Sequence, residues 1–146
     1  MQSESCMIKK RPPEVFPADC YQQGFTVSYD YPIYFTKDLF HLHNDLLADV
    51  IDRLNEHRRH RLKVFLDSGV AEATPELAQR IGQYTQMWSG CLKMEGPIEI
   101  VPGGEKIKSG WDLVKPIMTK MAESHLCRQS FVLAIGGGCV LDAVGL

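Results

Sequence analysis

Residues 131–146 read FVLAIGGGCVLDAVGL, and this stretch decides the fold class. Its first five residues, Phe131–Ile135, form an unbroken apolar run, which is typical of a buried parallel strand that helices cover on both faces. Three glycines follow at once and precede a pattern that could open a helix. Such a turn lets a phosphate approach backbone amides without meeting a side chain, although three glycines also make an ordinary tight turn.

Three further strand-and-helix steps are predicted ahead of this stretch. Residues 24–36 alternate apolar and polar side chains, which predicts two short strands joined by a turn. Residues 62–66, LKVFL, and residues 98–101 predict two more strands. Apolar residues recur at helical steps after three capping residues, which are Asn44, Thr74 and Ser109. The pattern predicts an α/β fold, a Rossmann-like parallel sheet with helices on both faces.

Two helical faces are expected to lie in the core, and one basic segment is expected in solvent. The predicted core residues are Leu77, Ile81, Tyr84 and Trp88 on one helix, and Trp111, Val114, Ile117 or Met118, and Met121 on the next. We interpret residues 55–63, NEHRRHRLK, as the solvated basic end of the first helix. A patch that binds phosphate or RNA is the alternative, although no aromatic side chains interleave there to stack on bases.

Candidate ligand groups follow each predicted strand from residue 62 onward. Asp67 stands where open α/β sheets hold a nucleotide ribose, although such a residue is also a common turn residue. Glu105 and Lys108 could hold ribose hydroxyls and a phosphate or adenine edge, or form an ion pair in a solvated turn. Asp142 lies about one helical turn beyond the glycines. Because the carboxyl ends of parallel strands share one edge, we expect these groups to converge on a nucleotide site.

Length and composition are those of an ordinary globular domain. The chain has 146 residues, of which 45% are hydrophobic and 23% charged, and its net charge is −2. No window reaches the roughly 18 apolar residues of a membrane span, and the amino terminus lacks the apolar core of a signal peptide. We therefore expect a cytoplasmic protein that binds neither membrane nor nucleic acid. Residues 1–21 are interpreted as a mobile N-terminal arm, and residues 22–146 as the α/β domain.

The cysteines and histidines indicate neither disulfides nor a metal site. The five cysteines are odd in number, scattered and without a CxxC pair, so we expect free thiols. None of the five histidines joins a carboxylate at the spacing of a recognisable ligand set.

The order of the motifs resembles the amino-terminal NAD-binding domain of 3-dehydroquinate synthase and related sugar phosphate cyclases. That family has an Asp turn after a strand, a G-E-x-x-K loop and a triple-glycine turn followed by Asp, and this chain has them in the same order between residues 25 and 146. By position, the resemblance places NAD contacts at Asp67, Ser68, Gly69, Glu105, Lys108, Gly137, Gly138, Cys139 and Asp142.

The resemblance also implies an activity. The family uses NAD and a divalent metal, zinc or cobalt, to cyclise a sugar phosphate with elimination of phosphate, and its members are homodimers. The metal ligands and most substrate-binding residues of the family lie in a helical carboxyl-terminal domain. We therefore expect this chain to be a truncated NAD-binding half, without catalytic or metal residues of its own and inactive alone.

Two positions depart from the family pattern, and two other classes stay open. Gly69 stands where the family commonly has Asn, and Leu141 where it has Gly, so the substrate is either the usual seven-carbon sugar phosphate or another one. Iron-containing alcohol and glycerol dehydrogenases share a similar fold and a GGGSxxD turn, but the loop with Glu105 and Lys108 favours the cyclases. A binding module without catalytic activity is the remaining alternative.

Overall fold

The computed structural model describes residues 21, 23–28, 30–104 and 111–145. The chain divides into two compact units, Met1–Tyr34 and Phe35–Leu146. The described residues up to Thr36 form neither helix nor strand, so the prediction of two strands within residues 24–36 is wrong. Alternation of apolar and polar side chains defines only a face, whereas a strand also needs a neighbouring backbone to satisfy its amides and carbonyls.

The second unit alternates strands and helices. In chain order its elements are α1 (Leu46–Ile51), β1 (His60–Asp67), α2 (Ser68–Ala73), α3 (Leu77–Met87), β2 (Leu92–Met94), β3 (Glu99–Val101), α4 (Trp111–Glu123), β4 (Phe131–Ile135) and α5 (Gly138–Val144). No helix among the described residues has both the length and the apolar character needed to cross a membrane.

The described strands form one parallel sheet with β1 at its centre. Leu62 is paired with Met94 of β2 and with Phe131 of β4, while Leu66 is paired with Ile100 of β3 and with Ile135 of β4. A strand has only two edges, so β2 and β3 lie one after the other along one edge of β1, and β4 lies along the other. The sheet therefore reads as β2 and β3, then β1, then β4.

Apolar clusters cover both faces of this sheet, so the predicted α/β class is confirmed. One cluster joins the sheet to α1 and α3, and its buried members are Phe40, Ile51, Leu62, Val64, Ile81, Tyr84 and Leu92. The other joins the sheet to α4 and α5, and its buried members are Phe65, Val101, Val114, Ile117, Val140 and Ala143. Side chains of β1 alternate between these faces, as the pleat requires.

Strand β4 is less covered than its apolar sequence predicts. None of its five residues is fully buried, and the exposed fractions of Phe131 and Val132 are 36% and 41%. Val132 is in register with Lys63, so it shares a face of the sheet with charged side chains instead of an apolar helix. On α4 the prediction is wrong at Trp111, which is exposed. Val114 is buried as predicted, and of the alternatives Ile117 and Met118 it is Ile117 that is buried.

The basic segment at residues 55–63 is not the solvated end of a helix. Helix α1 ends at Ile51, and β1 begins at His60, inside the segment. His60 and Lys63 are each 2% exposed. They can be buried because acidic partners lie beside them: His60 Nε2 is 3.0 Å from Asp52 Oδ1, and Lys63 Nζ donates to Glu99 Oε1 at 2.9 Å. A buried ammonium group such as that of Lys63 is tolerated only with such pairing.

Candidate functional site

The carboxyl ends of β1, β3 and β4 meet at one edge of the sheet, as the sequence predicts. Asp67, the last residue of β1, is in register with Val101, the last residue of β3. On the other side, Leu66 is in register with Ile135, the last residue of β4. The turns that leave these three strands therefore start side by side, and together they form the candidate site.

Asp67 lies at the centre of this edge and is nearly buried, with 8% exposed. Its Oδ1 accepts a hydrogen bond of 2.7 Å from the backbone N–H of Gly69, which caps the amino terminus of α2. Asp is among the preferred residues for this position because its side chain satisfies an N–H that the helix leaves unpaired. Of the two interpretations of Asp67, the structure supports the turn residue directly.

Two glycines pack directly against Asp67. A Cβ atom at Gly103 would lie 2.2 Å from Asp67 Oδ1, and one at Gly136 would lie 2.7 Å from Asp67 Cβ. Real Cβ atoms do not approach other heavy atoms so closely, so only glycine fits at either place without displacement. The sequence placed both glycines in turns but did not predict that they pack against Asp67; the available signal was their position, within two residues of a strand end.

Ser68, the first residue of α2, links the turn after β1 to the turn after β3. Its Oγ accepts a hydrogen bond of 3.4 Å from the backbone N–H of Gly103. Gly104, which follows Gly103, has a φ of +72°, a left-handed backbone conformation that residues other than glycine rarely adopt. The chain that leaves β3 is therefore fixed against α2 before it turns away.

The glycine turn after β4 presents open backbone. Gly137 precedes α5, Gly138 begins it, and a Cβ at either glycine would meet nothing within 4 Å. Cys139 is half-buried against the core cluster of α4 and α5, whereas Asp142 is exposed. The predicted ligand turn is therefore sterically open at Gly137 and Gly138, and the side chain of Cys139 packs into the protein.

The predicted contacts Glu105 and Lys108 lie outside the described residues. Their assignment stays a prediction from the resemblance. Ser109, the predicted cap of α4, also lies outside them. The described residues contain no group of three or more His, Cys, Asp or Glu side chains that could hold a metal ion.

Apart from this edge of the sheet, a charged cavity of about 280 Å³ lies beside Arg61 and Lys63 of β1, and Asp67 does not line it. Its other walls are the segment from Glu95 to Glu99 and the carboxyl end of α4. Arg61 donates to Glu95 and to the carbonyl oxygens of Ser124 and His125 at 2.8 to 2.9 Å. Arg61 thereby binds carbonyls at the end of α4, where a helix leaves such groups unpaired.

The charges of this cavity are satisfied by one another. Glu95 also lies 2.9 Å from Lys93 Nζ, and Lys63 Nζ donates to the Pro97 carbonyl at 3.0 Å as well as to Glu99. We interpret the cluster as a set of ion pairs and hydrogen bonds that joins β1 to β3, to the segment just before β3 and to the end of α4.

At low pH, protonation of Glu95 should reduce the stability that this cluster contributes to the fold. Hydrogen bonds from Arg61, and then from Lys93, lower the pKa of Glu95 from 4.5 to about 2. A carboxylate whose pKa is lower in the folded state stabilises the fold above pH 4.5, and that contribution is lost as the pH falls toward 2. Because Arg61 is a third exposed and solvent screens the pair, we expect a loss of about 1 to 2 kcal/mol.

Urea unfolding at pH 7 and pH 3 measures this contribution. Glu95→Gln should unfold more easily than the unmodified chain at pH 7. At pH 3 the difference should be clearly smaller but still present, because a carboxyl with a pKa of about 2 is largely ionised in the folded state at that pH. A stability difference that is the same at both pH values would contradict the assignment of the pH dependence to Glu95.

Comparison with known proteins supports the resemblance over part of the chain. Residues 98–146 match the family model described as 3-dehydroquinate synthase N-terminal. The matched segment contains β3, α4, β4 and α5, and with them Gly103 and the glycine turn. No match was found among curated proteins or among solved structures. Over residues 98–146, the chain thus resembles the amino-terminal domain of 3-dehydroquinate synthase, as its motifs predicted.

Proposed function

We propose that this chain binds NAD as the cofactor half of a sugar phosphate cyclase of the 3-dehydroquinate synthase type. The observation that carries this proposal is the meeting of three strand ends at Asp67, Gly103 and Gly136, two of which lie in the segment that matches the family model. Open parallel sheets bind nucleotides at the carboxyl ends of their strands, where the turns leave space and unpaired backbone amides.

The described residues fit such a cofactor at the glycine turn. The backbone of Gly137 and Gly138 is open, so a pyrophosphate can reach it without meeting a side chain. The turns after β1 and β3 supply the neighbouring wall, which we assign to the adenosine part of the cofactor. Bound NAD would supply a hydride acceptor for a substrate alcohol, and the protein's part is to hold and orient it.

Titration of the folded chain with NAD in a calorimeter tests the proposal. We expect a dissociation constant in the micromolar to millimolar range, which corresponds to about −8 to −4 kcal/mol. A folded sample that gives no heat at millimolar NAD would contradict it.

The match to the cyclase family favours this function over an alcohol dehydrogenase. Two assays on a protein that contains this domain distinguish the two functions. A cyclase should release phosphate from a seven-carbon sugar phosphate, whereas a dehydrogenase should oxidise glycerol.

Gly138→Ala is the sharpest variant for the cofactor contact. The added methyl group meets no protein atom within 4 Å, and alanine is favoured over glycine inside a helix, so thermal stability should be unchanged or higher. If the pyrophosphate lies against this backbone, the methyl group obstructs it, and NAD affinity should fall about tenfold or more.

Gly82→Ala is the matched control. Gly82 lies inside α3, and a Cβ there also meets nothing within 4 Å. This variant should gain about 0.5 to 1 kcal/mol of stability and bind NAD as the unmodified chain does. Equal NAD affinity in the two alanine variants would remove the glycine turn from the site.

A further inference from the structure

Asp67 touches each of the three turns of the candidate site. Its Oδ1 is hydrogen-bonded to the N–H of Gly69, Gly103 lies over both carboxylate oxygens, and Gly136 lies over its Cβ. A Cβ at Gly103 would lie 2.2 Å from one oxygen and 2.6 Å from the other. Backbone from all three turns therefore packs against the side chain of Asp67.

We propose that Asp67 is a positioning residue, which holds the turns after β1 and β3 in place, and that it is not itself a contact of the nucleotide. This inference rests on the proposed NAD site and changes the role that the resemblance gives to Asp67. The residue is 8% exposed, and its hydrogen bond to Gly69 occupies the same oxygen that lies nearest to Gly103. Ser68 completes the arrangement, since its hydroxyl accepts from the Gly103 N–H.

The two roles make different demands on the side chain. A positioning residue needs the shape of the side chain and an oxygen that accepts from Gly69, and asparagine provides both. A residue that accepts hydrogen bonds from ribose hydroxyls through an ionised carboxylate needs the charge as well, since such bonds are roughly twice as strong as neutral ones. Asp67→Asn and Asp67→Ala therefore separate the two.

The first measurement is NAD affinity by calorimetry on the full chain. We expect Asp67→Asn to stay within about threefold of the unmodified chain, and Asp67→Ala to lose about tenfold, because the released turns must be ordered again on binding. An equal loss in the two variants would overturn the proposal, because it would show that the carboxylate itself contacts the ligand.

The second measurement is thermal unfolding, and it does not depend on NAD. Gly103→Ala should lower the melting temperature by about 5 °C or more, because the new methyl group collides with the carboxylate. In an Asp67→Ala background the carboxylate is gone, so the same change should have little effect. An equal drop in both backgrounds would overturn the proposal.

The two measurements also separate this inference from the proposed function. If the unmodified chain binds no NAD, the proposed function is wrong, and the thermal comparison still decides whether Asp67 holds the turn after β3. If NAD binds and Gly103→Ala destabilises both backgrounds equally, the proposed function stands and the role given to Asp67 is wrong.

Discussion

Glu99→Ala is expected to lower the free energy of unfolding by about 3 kcal/mol, because it leaves a buried cation without its anion. The side chain of Lys63 is 2% exposed, and its ammonium group is held by Glu99 Oε1 at 2.9 Å and by the Pro97 carbonyl at 3.0 Å. Without Glu99, the ammonium keeps only a neutral acceptor among the described residues. Urea unfolding at pH 7 measures the loss.

A surface ion pair provides the matched control. Lys120 and Glu123 lie 3.1 Å apart, but their side chains are 48% and 59% exposed. Glu123→Ala should therefore change stability far less than Glu99→Ala does, as is usual for solvated pairs. Lys63→Met in the Glu99→Ala background should recover most of the lost stability, since it removes the buried charge. Similar losses for Glu99→Ala and Glu123→Ala would contradict the assignment.

Gly136→Ala is expected to destabilise the fold by about 2 to 3 kcal/mol through overpacking. The new Cβ would lie 2.7 Å from Asp67 Cβ and 3.2 Å from Val140 Cβ. Asp67 Cβ is bonded to the backbone of the central strand, so rotation of the side chain cannot relieve the collision. The φ of Gly136 is not in the left-handed region, so the expected loss of stability comes from the steric contact and not from the backbone conformation.

Gly138→Ala, two residues along, serves as the control, because its Cβ has open space and no stability loss is expected. Thermal unfolding of the two variants checks the difference. Asp67→Gly should partly rescue Gly136→Ala, since it removes the Cβ that the new methyl group meets, although the contact with Val140 remains. A Gly136→Ala variant as stable as the unmodified chain would show that the three strand ends are not packed as described.

The sequence predicted the elements that build the candidate site. The apolar runs at residues 62–66 and 131–135 are strands, and Ile81 and Tyr84 are buried on α3. Local patterns were sufficient here because each run is long enough to show its period, and parallel strands must end on one edge. The short elements α2 and β2 were missed. Helix α2, SGVAEA, has one large apolar side chain and so no apolar stripe, and the three residues of β2, LKM, show a single alternation.

The nature of Asp67 could not be read from its position. An Asp after a strand fits both a ligand contact and a helix cap, and its position does not reveal that Gly103, 36 residues later in the chain, packs against the carboxylate. The same limit applies to the basic segment. Nothing near Lys63 in sequence predicts its burial, because Glu99 is supplied by another strand.

By itself, then, the sequence determined the α/β class, the order of β1, β3 and β4, and the positions of the glycine and Asp turns at their carboxyl ends. The tertiary structure decided which charges are buried, which parts of β4 stay exposed, and that Asp67 is packed between Gly103 and Gly136. The physical reason is the distance along the chain over which each effect acts. Periodicity and turn chemistry act between neighbours along the chain, whereas burial of a charge or a carboxylate depends on partners that only the folded sheet brings together.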